Sequence, residues 1–178
     1  GWVTLDAAEK IFRLAGVSPD IMRSARTKGF RPVDLHLQTS LEIKNTIKRS
    51  TSHNVLAVLP GAKRPQECVI YSAHWDHFGI GEPVSGDSIY NGAVDNASGT
   101  AGLLTLADAF TRLPQPPARS VLFLSVTGEE QGLLGSEYYV THPTFSITKT
   151  VADINLDVLN TFGRTKDITV IGDGQSTL

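Results

Sequence analysis

Apolar residues recur at helical spacing between Thr4 and Ala15, at Leu5, Ala8, Ile11, Phe12 and Ala15, and Gly16 follows as a stop. A second, shorter helix is predicted from Ser18, an N-cap residue with Pro19 in the first turn, to near Gly29. The apolar period then falls to two. In "VDLHLQ", Val33, Leu35 and Leu37 alternate with Asp34, His36 and Gln38, and "SLEIKN" continues the pattern, so both segments read as half-exposed strands. "NVLAVLPG" and "CVIYSAH" are instead continuous apolar runs bounded by Pro60, Gly61 and the polar "AKRPQE", the pattern of strands covered on both faces.

From "YNGAVDNASGT" onward, strands and helices alternate. "SGTAGLLTLADAFTRL" puts Leu103, Leu106, Ala107, Phe110 and Leu113 on one face of a helix that "PQPP" closes. "SVLFLSVT" reads as a buried strand, "QGLLGSEYYVTH" as a helix, "TVADINLDVL" as a strand and "DITVIGD" as the last one. Alternation of this kind implies parallel pairing through right-handed crossovers, whereas the first half reads as antiparallel. The expected fold is α/β, with a mixed central sheet and helices on both faces. One domain over 1–178 is expected, with a helical lead-in at 1–30 and, from 31 to 178, the sheet and helices that carry the site. There is no internal repeat or low-complexity tract.

At 178 residues, 40% hydrophobic and 19% charged, the chain can bury one sizeable core but not two. A net charge of -2 with scattered basic residues supplies no electrostatic footprint for nucleic acid or for an anionic membrane. Membrane insertion is not expected, since even "AGLLTLADAF" is short and interrupted by Asp108. The single cysteine, Cys68, has no partner for a disulfide within the chain and sits in an apolar run as a small hydrophobe. The opening "GWVTLDAAEKIF" lacks an initiator methionine, a basic segment and an apolar leader, so the chain is expected to be a piece of something longer.

In an open α/β sheet, ligands bind outside the carboxyl ends of the parallel strands. Acidic residues gather there: His74, Asp76 and His77 follow "CVIYSA", Glu129 and Glu130 follow "SVLFLSVTG", Asp157 ends "TVADINL", and Asp95 precedes a helix in "AVDNASG". Taken alone, the glutamate pair reads as acids in a first helical turn, complementing the helix dipole. Taken together, so many carboxylates repel unless one stays protonated or a cation joins them. One histidine with several Asp and Glu suits zinc or a similar divalent ion, and a single carboxylate can bridge two ions. Asp76, two residues beyond His74 in an extended chain, points the same way and could hold the imidazole from its far side. Glu129 and Glu130 diverge as neighbours, so one can bind metal while the other faces a reacting water. His36, His53 and His142 read as surface histidines, His77 as a solvated loop residue with a pocket residue or a support for a metal ligand as the alternative, and Trp75 as packing between the site and a neighbouring helix.

"AHWDHFG", "AVDNASGTAG", "TGEEQGLLGS" and "INLDVLN", in that order, resemble the signature segments of the two-zinc aminopeptidases, metallopeptidase family 28. The resemblance runs from about Gly1 to the C-terminus, and the opening region is similar to the segment after an inserted protease-associated domain in secreted bacterial members. It implies a zinc-exopeptidase-like three-layer sandwich, a peptide substrate cut at its N-terminal residue, and an extracytoplasmic location. It further implies that His74 and Asp157 bind one zinc, Glu130 the other and Asp95 both, with Asp76 orienting His74 and Glu129 as general base. The peptide bond Asp95–Asn96 is expected to be cis. The family's remaining metal residue is a downstream histidine, which "VLNTFGRTKDITVIGDGQSTL" does not contain. The expectation is therefore a shortened catalytic domain with at most one tightly held zinc, little activity and a tendency to self-associate through uncovered surface. Alternatives are a carboxypeptidase-like or glutaminyl-cyclase-like enzyme on the same metal core, differing in the pocket. A non-catalytic binding domain is a further alternative, although relatives of that kind lose the metal residues kept here.

Overall fold

The computed structural model describes residues 2–166, and the strand predicted at "DITVIGD" lies outside them. The chain divides into two compact units, Gly1–Arg49 and Ser50–Leu178, a break later than the end of the expected lead-in at residue 30.

In the first unit, α1 (Leu5–Leu14) begins at Thr4, whose hydroxyl accepts from the Ala7 amide at 3.3 Å, and α2 is a single turn, Ile21–Ser24. The strands predicted at 33–38 and 40–45 do not form. Leu37, Leu41, Ile43 and Ile47 are all exposed. An alternating pattern specifies a strand only when a second strand takes up its amides and carbonyls and a surface covers its apolar face. Among the described residues this segment has no ladder partner.

The second unit is built on β1 (Val55–Leu59), β2 (Arg64–His74), β5 (Arg119–Val126) and β6 (Thr150–Asn155), in the sheet order β1-β5-β2-β6. A separate hairpin contains β3 (Gly79–Val84) and β4 (Asp87–Tyr90). β2 runs parallel to both β5 and β6, while β1 is antiparallel to β5. The sheet is therefore mixed, as expected, and helices cover both its faces.

The uninterrupted apolar runs of β2 and β5 follow from that double covering. On one face Ala73, Val121 and Phe123 pack with Leu103, Leu106 and Phe110 of α3 (Ala97–Thr111). On the other, Cys68, Ile70, Leu122, Leu124 and Val126 pack with Tyr139 of α4 (Leu134–Thr141). Tyr71, Phe110 and Phe123 form an aromatic group with centroids 5.7–6.1 Å apart. Cys68 is fully buried, as its neighbours imply.

β1 departs from its expected covering. Val55 is 62% exposed, and Leu56 and Val58 are exposed too, because β1 is an edge strand of the sheet. The hairpin is an addition to the expected elements, although its turn is written in the sequence. Ser85 (φ 54°) and Gly86 (φ 89°) both adopt the left-handed region that a two-residue hairpin turn of right-handed twist requires.

A side-chain clasp ties the end of β5 to α4. Asn54 donates to the Gly135 carbonyl at 2.7 Å and accepts from the Thr127 amide at 3.1 Å. Gly135 fits because it has no side chain: a Cβ there would lie 2.3 Å from the Thr127 carbonyl oxygen and 2.4 Å from Asn54 Oδ1. Gly135→Ala should destabilise the second unit by about 1–3 kcal/mol, and Leu122→Ala, at the fully buried centre, by about 2–5 kcal/mol. Urea unfolding followed by circular dichroism measures both.

Candidate metal centre

Parallel pairing of β2 with β5 and β6 carries His74, Glu129, Glu130 and Asp157 to one edge of the sheet. Asp95 reaches the same edge from the loop before α3. That loop is fixed chiefly by Asn96, which is 1% exposed and caps α3 by accepting from the Gly99 amide at 3.0 Å. Its amide nitrogen donates to the Leu156 carbonyl at 2.8 Å, and its side-chain oxygen also accepts from the Val158 amide at 3.3 Å. The Asn96 side chain thereby binds the backbone on both sides of Asp157 to the residue after Asp95. A Cβ on Gly99 would stand 2.5 Å from the Leu156 carbonyl oxygen, so the close approach of α3 to this segment needs glycine. The Asp95–Asn96 peptide is cis, as the resemblance implies.

His74 is the buried centre of the cluster, its side chain 2% exposed. Its Nε2 faces Asp95 Oδ1 at 3.1 Å, Asp157 Oδ1 at 3.4 Å and Glu129 Oε2 at 3.8 Å. None of these contacts has hydrogen-bond geometry, and Nε2 has no hydrogen bond among the described residues. A buried ring nitrogen aimed at carboxylates without bonding them is a donor set that suits a cation.

The other ring nitrogen meets Asp76 through the backbone rather than through the carboxylate. Nδ1 lies 3.0 Å from the backbone carbonyl of Asp76, and the Asp76 carboxylate is farther off, at 3.8 Å. The carboxylate is engaged elsewhere, accepting from the Glu129 amide at 3.2 Å. Asp76 therefore holds both His74, by its carbonyl, and the turn that bears Glu129, by its side chain. One residue serves two strand ends.

Glu129 and Glu130 do not lie in a first helical turn. α4 begins only at Leu134, after a turn in which the Gly132 and Leu133 amides donate to the Glu129 carbonyl, and Gly128 (φ 65°) opens that turn. The helix-dipole explanation of the acidic pair therefore fails for this chain. Burial raises the Glu129 carboxyl above the usual range; the charge of His74 opposes that shift, and Glu130, Asp157 and Asp95 add to it. For His74, burial works against a charged ring, yet the Asp76 carbonyl and the carboxylates of Glu129, Asp157 and Asp76 carry it above the ordinary histidine value.

Two groups of residues have the composition of a divalent-metal site, His74 with Asp95 and Asp157, and His77 with Asp95 and Glu130, and Asp95 belongs to both. His77 is not the solvated loop histidine of the sequence reading. It is 19% exposed, and its Nδ1 lies 2.6 Å from Glu130 Oε1. The signal for it was its place on the same post-strand loop as His74 and Asp76. Trp75 also departs from expectation, being 47% exposed and donating to the His53 carbonyl at 3.2 Å rather than packing beneath a helix. His142 stacks on Tyr138 and lines the cleft that Asp76 and His77 border, outside both metal-binding groups. A cleft of about 770 Å³, bordered by Asp76, His77, Gly128, Asn54 and Tyr138, opens beside the cluster.

Comparison with known proteins identifies the family. The profile of peptidase family M28 matches residues 54–178. The aminopeptidase NAALADL1 of Mus musculus is 34% identical over 126 residues, which cover 68% of this chain and 15% of that protein. A "Probable zinc metalloprotease" of Pyricularia oryzae is 38% identical over 85 residues, 48% of this chain and 16% of that one. The crystal structure of a peptidase M28 precursor from Shewanella amazonensis shares 30% identity and a TM-score of 0.53, covering 61% of this chain and 22% of its own. The chain thus spans about a sixth of the length of the curated relatives it matches. The family match covers the four motifs and every residue of the cluster around His74, and on that ground the chain belongs to peptidase family M28.

Proposed function

We propose that this chain carries the metal centre of a zinc-dependent aminopeptidase, a hydrolase that removes N-terminal residues from peptides with a pair of zinc ions and a glutamate base. The observation that carries the reading is the spacing around the unbonded Nε2 of His74. Nitrogen and oxygen ligands of a tetrahedral zinc lie about 3.3 Å from one another. His74 Nε2 is 3.1 Å from Asp95 Oδ1 and 3.4 Å from Asp157 Oδ1, so an ion of that size fits among atoms already in place.

In this reading His74, Asp95 and Asp157 would hold the first ion, and Asp95 and Glu130 the second. The chemistry that a bound zinc pair would supply is Lewis acidity, which brings the pKa of water toward about 7. Glu129 accepts the proton of the attacking water and passes it to the leaving amine. Its surroundings suit that work, since burial and three neighbouring carboxylates favour its protonated form. Asp76 steadies both partners, His74 through its carbonyl and Glu129 through the amide that its carboxylate accepts. Preference for an N-terminal substrate residue and action outside the cytoplasm belong to the same proposal and rest on resemblance. The names of the relatives, an aminopeptidase and a zinc metalloprotease, support the peptidase and zinc parts of it.

In the whole protein, Glu129→Gln should keep its zinc, by mass spectrometry, while turnover of a leucyl-anilide falls roughly 10²- to 10⁴-fold; near-parental turnover would remove Glu129 from the base role. Asp95→Ala should lose both ions together, and two ions retained would show that Asp95 does not bridge. Zinc binding should also depend on pH. The ion must displace any proton on His74, whose pKa stands above the ordinary 6.5, so affinity should fall as pH drops through that raised value. Titration of the metal-free chain at pH values on either side tests this, and a flat profile from neutral to acidic pH would contradict it.

A further inference from the structure

We infer that His77 is a positioning residue, its ring holding the Glu130 carboxylate in place for the second metal position; the inference rests on the two-metal reading above. Three observations carry it. His77 Nδ1 and Glu130 Oε1 are 2.6 Å apart. Both side chains are largely buried, at 19% and 11% exposure. The ring is also clamped: a Cβ on Gly92 would stand 2.8 Å from His77 Cβ, 3.0 Å from its Cγ and 2.9 Å from the Asp95 carbonyl oxygen. Gly92 (φ 66°) thus lets the loop before α3 close down on His77 and Asp95 together. The Phe78 ring packs against the imidazole at 4.8 Å.

His77 could instead be a metal ligand, since it groups with Asp95 and Glu130. Distance speaks against ligation through Nδ1, and the asparagine variant below separates a positioning role from ligation through Nε2. Two separate ligand atoms on one tetrahedral zinc sit about 3.3 Å apart, and the atoms around His74 Nε2 keep that spacing. His77 and Glu130, at 2.6 Å, are too close for it and at the right length for a charge-assisted hydrogen bond. An ionised carboxylate only accepts, so Nδ1 is the donor. That bond occupies one carboxylate oxygen of Glu130 and leaves the other for the ion. His77 then acts on the metal through Glu130, fixing the carboxylate's rotation before the ion arrives, as hydrogen-bonded outer groups do for metal ligands generally.

The test is the affinity of each zinc position in the whole protein, as parent and as its His77→Ala and His77→Asn variants, by competition with a chromophoric chelator. The asparagine amide nitrogen stands near the place of Nδ1 and can donate, without an imidazole lone pair to offer a metal. The alanine variant should weaken the second ion about 10- to 100-fold and leave the first unchanged, which also shows that the fold is intact. The asparagine variant should recover most of that loss. In the zinc-loaded parent, ¹⁵N-labelled histidine spectra should show a proton still bonded to His77 Nδ1. An unaffected second ion in the alanine variant, no recovery with asparagine, or an unprotonated Nδ1 in the loaded protein would each overturn the positioning role while leaving the two-metal reading intact. A parent that takes up fewer than two ions would overturn that reading and this inference with it.

Discussion

Parallel pairing of β2 with both β5 and β6 is the constraint from which the site follows. Parallel strands end on the same side, so residues that follow three separate apolar runs converge without any of them being local in sequence. His74 and Asp157 are more than eighty positions apart in the chain and 3.4 Å apart in space. The register is held by burial on both faces: a slip of one residue would turn Leu122 and Leu124 away from α4 and out of their core. Core packing and site geometry are in that sense one specification.

Within that frame the electrostatics are unbalanced by design. Asp95, Glu129 and Asp157 all face one buried ring nitrogen that has no hydrogen bond among the described residues. The protein accepts the repulsion because rigid groups hold the carboxylates where they are. Asn96 ties the loop of Asp95 to the backbone around Asp157, and Asp76 ties the His74 loop to the Glu129 turn. Such preorganisation places the unfavourable contacts in the folded chain, so that a cation relieves them on binding.

Most of this is legible in the sequence because it depends on periodicity and on position at strand ends. The runs at Cys68–His74 and Ser120–Val126 are strands, the helix with Leu103 and Phe110 covers one face, and the residues chosen at the strand ends do meet. What the pattern misreads depends on partners. Val33 to Asn45 alternates correctly yet has no described strand to pair with, and the apolar β1 lies at an edge. The choice of the Asp76 carbonyl over its carboxylate turns on a distance that spacing of residues does not encode. His77 stays divided between two readings in the sequence, because a histidine in a polar loop looks solvated until Gly92 is seen to close over it.

The missing side chain at Gly99 has a consequence beyond packing. Because α3 meets the Leu156 carbonyl through bare backbone, the loop bearing Asp95 and the segment bearing Asp157 have little room to spread apart. The spacing at His74 Nε2, 3.1 Å to Asp95 and 3.4 Å to Asp157, is therefore tied to a contact made of backbone alone. A glycine in α3, which offers no ligand atom of its own, in this way bears on the separation of atoms that it never touches.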